Sequence, residues 1–172
     1  MRTLLVLAAA LFIVASPSVI TAQTAASDDL ATRVAEAVRL YPQLSVFDDV
    51  NVDVKEATVT LSGCVTMPYK RDGIAARVAK VDGVRTVTND IHVLPPSTTD
   101  SDLRTRIAQA IYGHPGFWRY ASMAVPPIRI IVSSGRVTLN GLVDTEVDRT
   151  LAFTLAHVPG TSGVTNKLRV ER

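Results

Sequence analysis

The chain carries one pattern twice, and this limits its fold more than any other feature. Asp29-Leu30-Ala31-Thr32-Arg33-Val34-Ala35-Glu36-Ala37-Val38 aligns with Asp102-Leu103-Arg104-Thr105-Arg106-Ile107-Ala108-Gln109-Ala110-Ile111 at an offset of 73. Val59-Thr60-Leu61-Ser62-Gly63 aligns with Val137-Thr138-Leu139-Asn140-Gly141 at an offset of 78, so the second copy is five residues longer between these blocks. Val87-Thr88-Asn89 and Val164-Thr165-Asn166 close the two copies. Matched blocks in one order mean one supersecondary unit used twice. The 172 residues therefore divide into two small units at 27–94 and 101–172, joined by 95–100, and not into one larger domain.

Each unit reads helix, strand, strand, helix, strand. Leu30, Val34, Ala37 and Val38 make a helical stripe behind Ser27 as an N-cap, and Leu103, Ile107, Ala110 and Ile111 make its twin behind Ser101 and Asp102. Val50, Val52 and Val54 alternate, Lys55-Glu56 turns, and Val59 and Leu61 resume the alternation, which predicts a hairpin buried on one face. Ile128, Ile130 and Val132, then Ser133-Ser134-Gly135, then Val137 and Leu139 repeat it. A second helix should turn Ile74, Val78 and Val81 inward in one copy, and Val147, Leu151, Leu155 and Val158 in the other. Gly83 and Gly160 should stop those helices. Strand, helix and closing strand favour a right-handed parallel crossover beside the antiparallel hairpin. The expected fold is α+β: two tandem αββαβ modules, each a three-stranded mixed sheet with two helices on one face. Asn51, Asp53, Thr58 and Thr60 should lie on the wet face. Units of this size have small cores, so the modules are expected to lean on each other.

The first residues read as an address. Arg2 precedes an unbroken apolar run over 4–15, followed by Ser16-Pro17-Ser18 and small residues up to Ala22, the pattern of a secretory signal peptide over 1–22. A retained anchor is the competing reading, but the run is shorter than the roughly 20 residues that span a bilayer. Cleavage is expected after Ala22, with Ala26 second, and the chain is expected to be exported. Aromatic residues are only 5%, which disfavours a surface built on stacking bases or sugars. A net charge of +2 does not point to nucleic acid. A single cysteine excludes an internal disulfide framework and a multi-thiolate metal site.

The blocks Val59-Thr60-Leu61-Ser62-Gly63-Cys64-Val65 with Val81-Asp82-Gly83-Val84, and Val137-Thr138-Leu139-Asn140-Gly141-Leu142-Val143 with Val158-Pro159-Gly160 and Val164-Thr165-Asn166-Lys167-Leu168-Arg169-Val170, resemble the BON domain of bacterial envelope proteins. The resemblance covers nearly all of 27–172 and departs at Met67-Pro68-Tyr69. It implies a non-enzymatic exported binding module with an αββαβ fold and an affinity for phospholipid membranes, and tandem pairs of such modules behind a signal peptide resemble the periplasmic members. It also implies a part in envelope integrity or osmotic stress tolerance, and no cofactor. An anionic phospholipid surface is the expected partner. A protein-interaction or chaperone-like module that engages envelope proteins is the alternative.

His114-Pro115-Gly116-Phe117-Trp118-Arg119-Tyr120 lies where the second copy is longer. Phe117, Trp118 and Tyr120 with Arg119, and Arg104 on the preceding helix, suit a lipid interface, since aromatics carry an apolar body and arginine can meet phosphate. The competing reading places Phe117 and Tyr120 in the core, with Trp118 shielding a helix end. Gly63, Gly83, Gly141 and Gly160 are expected as structural hallmarks, the first and third through a bulge or the close approach of a helix. Gly113-His114-Pro115-Gly116 formally matches a KH-type clamp, but Pro126-Pro127 and a strand are expected after it. Cys64, aligned with Leu142, reads as a buried thiol or as an interchain disulfide. Asp144, Glu146 and Asp148 with Arg149 read as a solvated helix start or a cation site. His92, His114 and His157 lack metal-ligand spacing, and no catalytic constellation can be assembled.

Overall fold

The computed structural model describes residues 18–171. Residues 1–17 of the expected leader lie outside the described residues. Helix α1 (Ser18–Arg39) leads to strands β1 (Asp49–Lys55) and β2 (Thr58–Val65), helix α2 (Pro68–Val78) and strand β3 (Thr86–Val93). The second module repeats the order with α3 (Thr98–Tyr112), a 3-10 turn (Pro115–Phe117), the one-turn helix α4 (Trp118–Ala121), β4 (Arg129–Ser133), β5 (Arg136–Val143), α5 (Glu146–Leu155) and β6 (Gly163–Val170). Each module has one three-stranded sheet, β1-β2-β3 and β4-β5-β6. The hairpin pairs are antiparallel, with Val52 opposite Leu61 and Ile130 opposite Leu139. The closing strands run parallel to the centre, with Leu61 opposite Asn89 and Leu139 opposite Asn166. This is the mixed αββαβ unit expected from the periodicities. No described helix is long and apolar enough to cross a membrane.

Several boundaries differ from the sequence reading. Helix α1 runs without a break through Ala22 and Ser27. Ser27 is therefore inside the helix and not its cap, because no proline or glycine interrupts 18–39. The second module's helix begins earlier than Ser101: Ser97 is the N-cap, its hydroxyl accepting from the Asp100 N–H. Helices α2 and α5 end at Val78 and Leu155, with Ala79 and Ala156 as right-handed caps. Gly83 and Gly160 come later, as third residues of β-turns closed by Val84 N to Val81 O and Thr161 N to Val158 O. A φ of +95° at each suits a type II turn. Val147 is 73% exposed, not inward. Leu151, Leu155 and Val158 of the expected stripe do pack against the core, beside the fully inward Asp148 and Ala152 of α5 and its cap Ala156.

Each module has its own core. Leu30, Val34, Val38, Val59, Leu61, Val65, Ile74, Val78 and Ile91 fill the first. Leu103, Ile107, Ile111, Ile128, Ile130, Leu139 and Leu168 lie in the second, with Phe117 and Tyr120. The repeat extends to polar ties. Arg33 and Arg106 each donate from Nη1 to a carbonyl beside the turn glycine, Asp82 O at 2.9 Å and Pro159 O at 2.8 Å. Asn89 and Asn166 donate from Nδ2 to the carbonyls of Arg71 and Arg149, binding the closing strand to the second helix. This gives the Val-Thr-Asn block its physical reason: the valine packs and the asparagine ties.

The modules do lean on each other. Ile130 N–H donates to Val46 O at 2.7 Å, and Arg129 donates to Ser45 O at 3.1 Å. Asn140 Nδ2 reaches the Asp49 carboxylate at 2.7 Å. Phe47, from the loop before β1, packs against the core of the second module. The contact thus joins the starts of the edge strands β1 and β4 and leaves both central strands fully paired.

Candidate functional site

The aromatic segment divides between core and surface. Phe117 and Tyr120 are buried, their ring centroids 5.7 Å apart, because the 3-10 turn and α4 fold the longer loop back against α3 and the start of α5. Neither is available to lipid. Arg104 is only 6% exposed; Nη2 donates to Val132 O and Nε has no partner. Burial pulls its pKa down against the opposing fields of Asp100 and Asp48. It lines a cleft between the modules together with Phe47, Met67, Tyr69, Lys70 and Pro96, and not an outer basic surface. Trp118 is the accessible aromatic of the segment, at 66% exposure. Arg119 is half exposed, but its guanidinium pairs with Asp144 at 3.2 Å and with Asp148. Its charge is already met.

That ion pair is part of a staple at the start of α5. Asp148 also accepts from Tyr120 Oη at 3.0 Å and Thr145 Oγ1 at 2.7 Å, and Tyr120 Oη accepts from Asp144 N–H at 2.8 Å. Burial would raise the Asp148 pKa; the donors Thr145 and Tyr120 and the field of Arg119 overcome it and hold the carboxyl below its usual value. Thr145 is the N-cap. The acidic cluster is therefore structural: Asp144 and Asp148 hold Arg119, and Glu146 holds Arg149. Replacing Tyr120 with phenylalanine is expected to cost about 1–2 kcal/mol by orphaning these partners. Urea denaturation monitored on the second module checks this.

The first module solves the same problem with reversed polarity. Lys70, at the position of Asp148, donates to Asp48 Oδ2 at 2.6 Å and to Thr66 Oγ1 at 2.9 Å. Asp48 is fully buried and also accepts from Ser45 and Thr66. In both modules a charged pair clamps the segment before the first strand to the start of the second helix. A carboxylate suits a helix N-terminus and an ammonium does not, so Asp148 is the better placed of the two.

One end of the second module gathers exposed apolar side chains. Because β5 and β6 are parallel and α5 follows β5, the end of β5, the start of α5 and the end of β6 lie together. Arg119 and Tyr120 bind Asp144 and Asp148 there, which brings Trp118 to the same end. Trp118, Leu142 and Val147 are all exposed. Arg169 sits opposite Leu142 in the register, with Lys167 two residues earlier on the same face. Among the described residues neither cation forms an ion pair. The sequence reading missed Leu142, Val147, Lys167 and Arg169. The signal was an apolar residue at an outward position of β5 beside alternating cations on β6.

Gly63 and Gly141 have φ of +112° and +127°. A Cβ would lie 2.2 Å from Asp49 O at Gly63 and 2.0 Å from Pro127 O at Gly141. The close approach is made by the chain entering the neighbouring strand, and not by a helix. Cys64 is half-buried on the outward face, opposite Asp49, and not in the core; burial and the Asp49 charge push its thiol pKa up. At Gly113-His114-Pro115-Gly116, His114 Nδ1 accepts from Gly116 N–H and caps the 3-10 turn. A one-turn helix follows it before the strand.

Two mixed αββαβ units, each with its own core and joined at their edge strands, define a tandem α+β module protein. The chain belongs to the BON domain family: the family profile matches residues 26–95 and again 99–172. BON domains are non-catalytic and are generally associated with phospholipid binding. Among solved structures, the chain is similar to CdsD, a structural protein of the type III secretion system of Chlamydia trachomatis, at 12% identity and a TM-score of 0.32, covering 83% of this chain and 92% of that one. It is also similar to the CdsD C-terminal domain, at 10% identity and a TM-score of 0.30, covering 84% and 98%. No curated protein sequence matches the chain.

Proposed function

We propose that the chain is exported by residues 1–22 and binds anionic phospholipid surfaces reversibly in the periplasm through the exposed end of its second module, in support of envelope integrity. The observation that carries this reading is the exposed Trp118 at the same end as Leu142, Val147 and the cations of β6. Tryptophan is favoured where an apolar body meets lipid and a polar N–H stays at the headgroups. Lys167 and Arg169 supply the attraction that the ion-paired Arg119 does not, at about 1 kcal/mol for each cation near an anionic membrane. A net charge of +2 gives little long-range pull, so this local patch has to act.

Trp118→Ala is expected to weaken binding to phosphatidylglycerol-containing vesicles by about 10- to 50-fold, from some 25 cal/mol for each Å² of ring kept in water. Lys167→Glu with Arg169→Glu should abolish the preference for anionic over phosphatidylcholine vesicles. Co-sedimentation measures both. Equal binding to the two vesicle types by the unaltered chain would end the proposal.

A further inference from the structure

The outward faces of the two sheets carry opposite charge. Alternation places Asp49, Asn51, Asp53 and Lys55 of β1, Thr58, Thr60, Ser62 and Cys64 of β2, and Thr86, Thr88, Asp90 and His92 of β3 on the side away from the helices. Asp49, Asp53 and Asp90 outweigh Lys55, which lies 3.4 Å from Asp53. In the second module the corresponding positions are Arg129, Ile131 and Ser133, then Arg136, Thr138, Asn140 and Leu142, then Gly163, Thr165, Lys167 and Arg169. No carboxylate falls on this face within the three strands; Glu171 follows just beyond β6. Arg136, Lys167 and Arg169 are exposed, and Arg129 is half-buried at the junction.

These faces are not separate surfaces. The Asn140 side chain donates to the Asp49 carboxylate at 2.7 Å, and both residues point outward in their sheets. The wet faces therefore adjoin along a seam at β1 and β4, with an acidic half on one side and a basic half on the other. Away from the charges the side chains are mostly threonine, serine and asparagine, which leave a low surface that another sheet face can approach.

We propose that this divided surface binds the same surface of a second copy of the chain. A two-fold axis running along the seam lays each acidic half over the partner's basic half, so that Asp53 and Asp90 of one copy face the Arg136, Lys167 and Arg169 side of the other. Such pairing is self-complementary and closes at two copies. A two-fold axis running across the seam would lay acidic half on acidic half and basic on basic, which fixes the orientation.

Sedimentation equilibrium of the purified chain over a concentration series tests the pairing. A dimer is expected at low ionic strength and a monomer near 1 M salt, where the screening length is only about 3 Å. Asp53→Lys with Asp90→Lys gives two basic halves, and Arg136→Glu with Lys167→Glu and Arg169→Glu gives two acidic halves. Each variant alone should be monomeric, and an equimolar mixture should recover the dimer mass. The aspartate variant leaves the Trp118 end untouched, so it should lose the dimer and keep vesicle binding, separating this inference from the lipid reading. A monomer at every ionic strength, a dimer that survives the charge reversals, or a mixture that stays monomeric would each overturn it.

Discussion

Substituting methionine for Lys70 is expected to destabilise the first module by about 3–5 kcal/mol, the cost of leaving a buried charge without its partner. A module of this size has a total stability of only about 4–10 kcal/mol, so much of it would unfold under mild denaturant. The effect is large because Asp48 is fully buried and Lys70 nearly so, with 2.6 Å between them. Ser45 and Thr66 still donate to Asp48 in the variant, which holds the loss toward the lower figure. The double variant Asp48→Asn with Lys70→Met should be less destabilised than the two single losses combined, since no charge is left unpaired.

The same pair sets the acid response. Burial raises the Asp48 pKa, but the bond from Lys70 and the donors of Ser45 and Thr66 overcome it and hold the value below normal. The stabilisation is therefore complete above the unfolded value, about 3.9, and is lost as pH falls through the lower folded value. In Lys70→Met this acid-dependent loss shrinks. The damage should also cross the module boundary, because the loop that holds Asp48 presents Val46 O to Ile130 N–H and Phe47 to the second core. Faster hydrogen exchange at Ile130 is the expected readout. Unchanged exchange there, with the first module destabilised, would mean that the modules are mechanically independent.

Much of the fold was legible because its determinants are local and occur twice. Periods of two and of three to four, read at matched positions, fix the order of elements and the mixed sheet. Where the inward face of α5 begins was not legible. Leu151, Leu155 and Val158 pack as the periodicity expects, yet Val147, at the head of the same stripe, is exposed and Asp148, one residue round the helix, is buried. The choice is made by the pocket that Tyr120 and Arg119 build around Asp148. Arg104 shows a different limit. Its equivalent in the first copy is Ala31, so nothing in the repeat signals that an arginine there lies under the neighbouring module. Phe117 and Tyr120 look alike as core or as lipid anchors until the longer loop is seen to turn back against α3 and α5. The polarity swap between Lys70 and Asp148 was equally hidden, since each finds its partner in a loop that does not align between the copies.

The four repeated glycines should separate into two classes under alanine substitution, and Gly141→Ala should have the largest effect of all. At Gly83 and Gly160 the backbone is left-handed, but an added Cβ meets nothing closer than 3.4 Å and 3.5 Å. The cost there is conformational, about 1–2 kcal/mol. At Gly63 and Gly141 the same kind of backbone cost is joined by contacts of 2.2 Å and 2.0 Å with main-chain oxygens, which cannot swing aside as a side chain can. Relief requires the entering strand to move by about 1 Å, and strain plus overpacking come to about 3–5 kcal/mol. Gly141 is the worse placed because the approaching carbonyl belongs to Pro127 and is followed by Ile128, which is buried and held through its own carbonyl by Tyr112 Oη at 2.6 Å. Moving that segment would break the tyrosine bond and open the second core. Gly141→Ala is therefore expected to unfold the second module while leaving exchange protection in the first away from the junction, and Gly63→Ala to do the reverse, with the Ile130 amide, which donates to Val46 O across the junction, losing protection in both. Equal, small losses at all four positions would show that left-handed geometry alone, and not the crowding of one strand by the entry of the next, is what the repeated glycines provide.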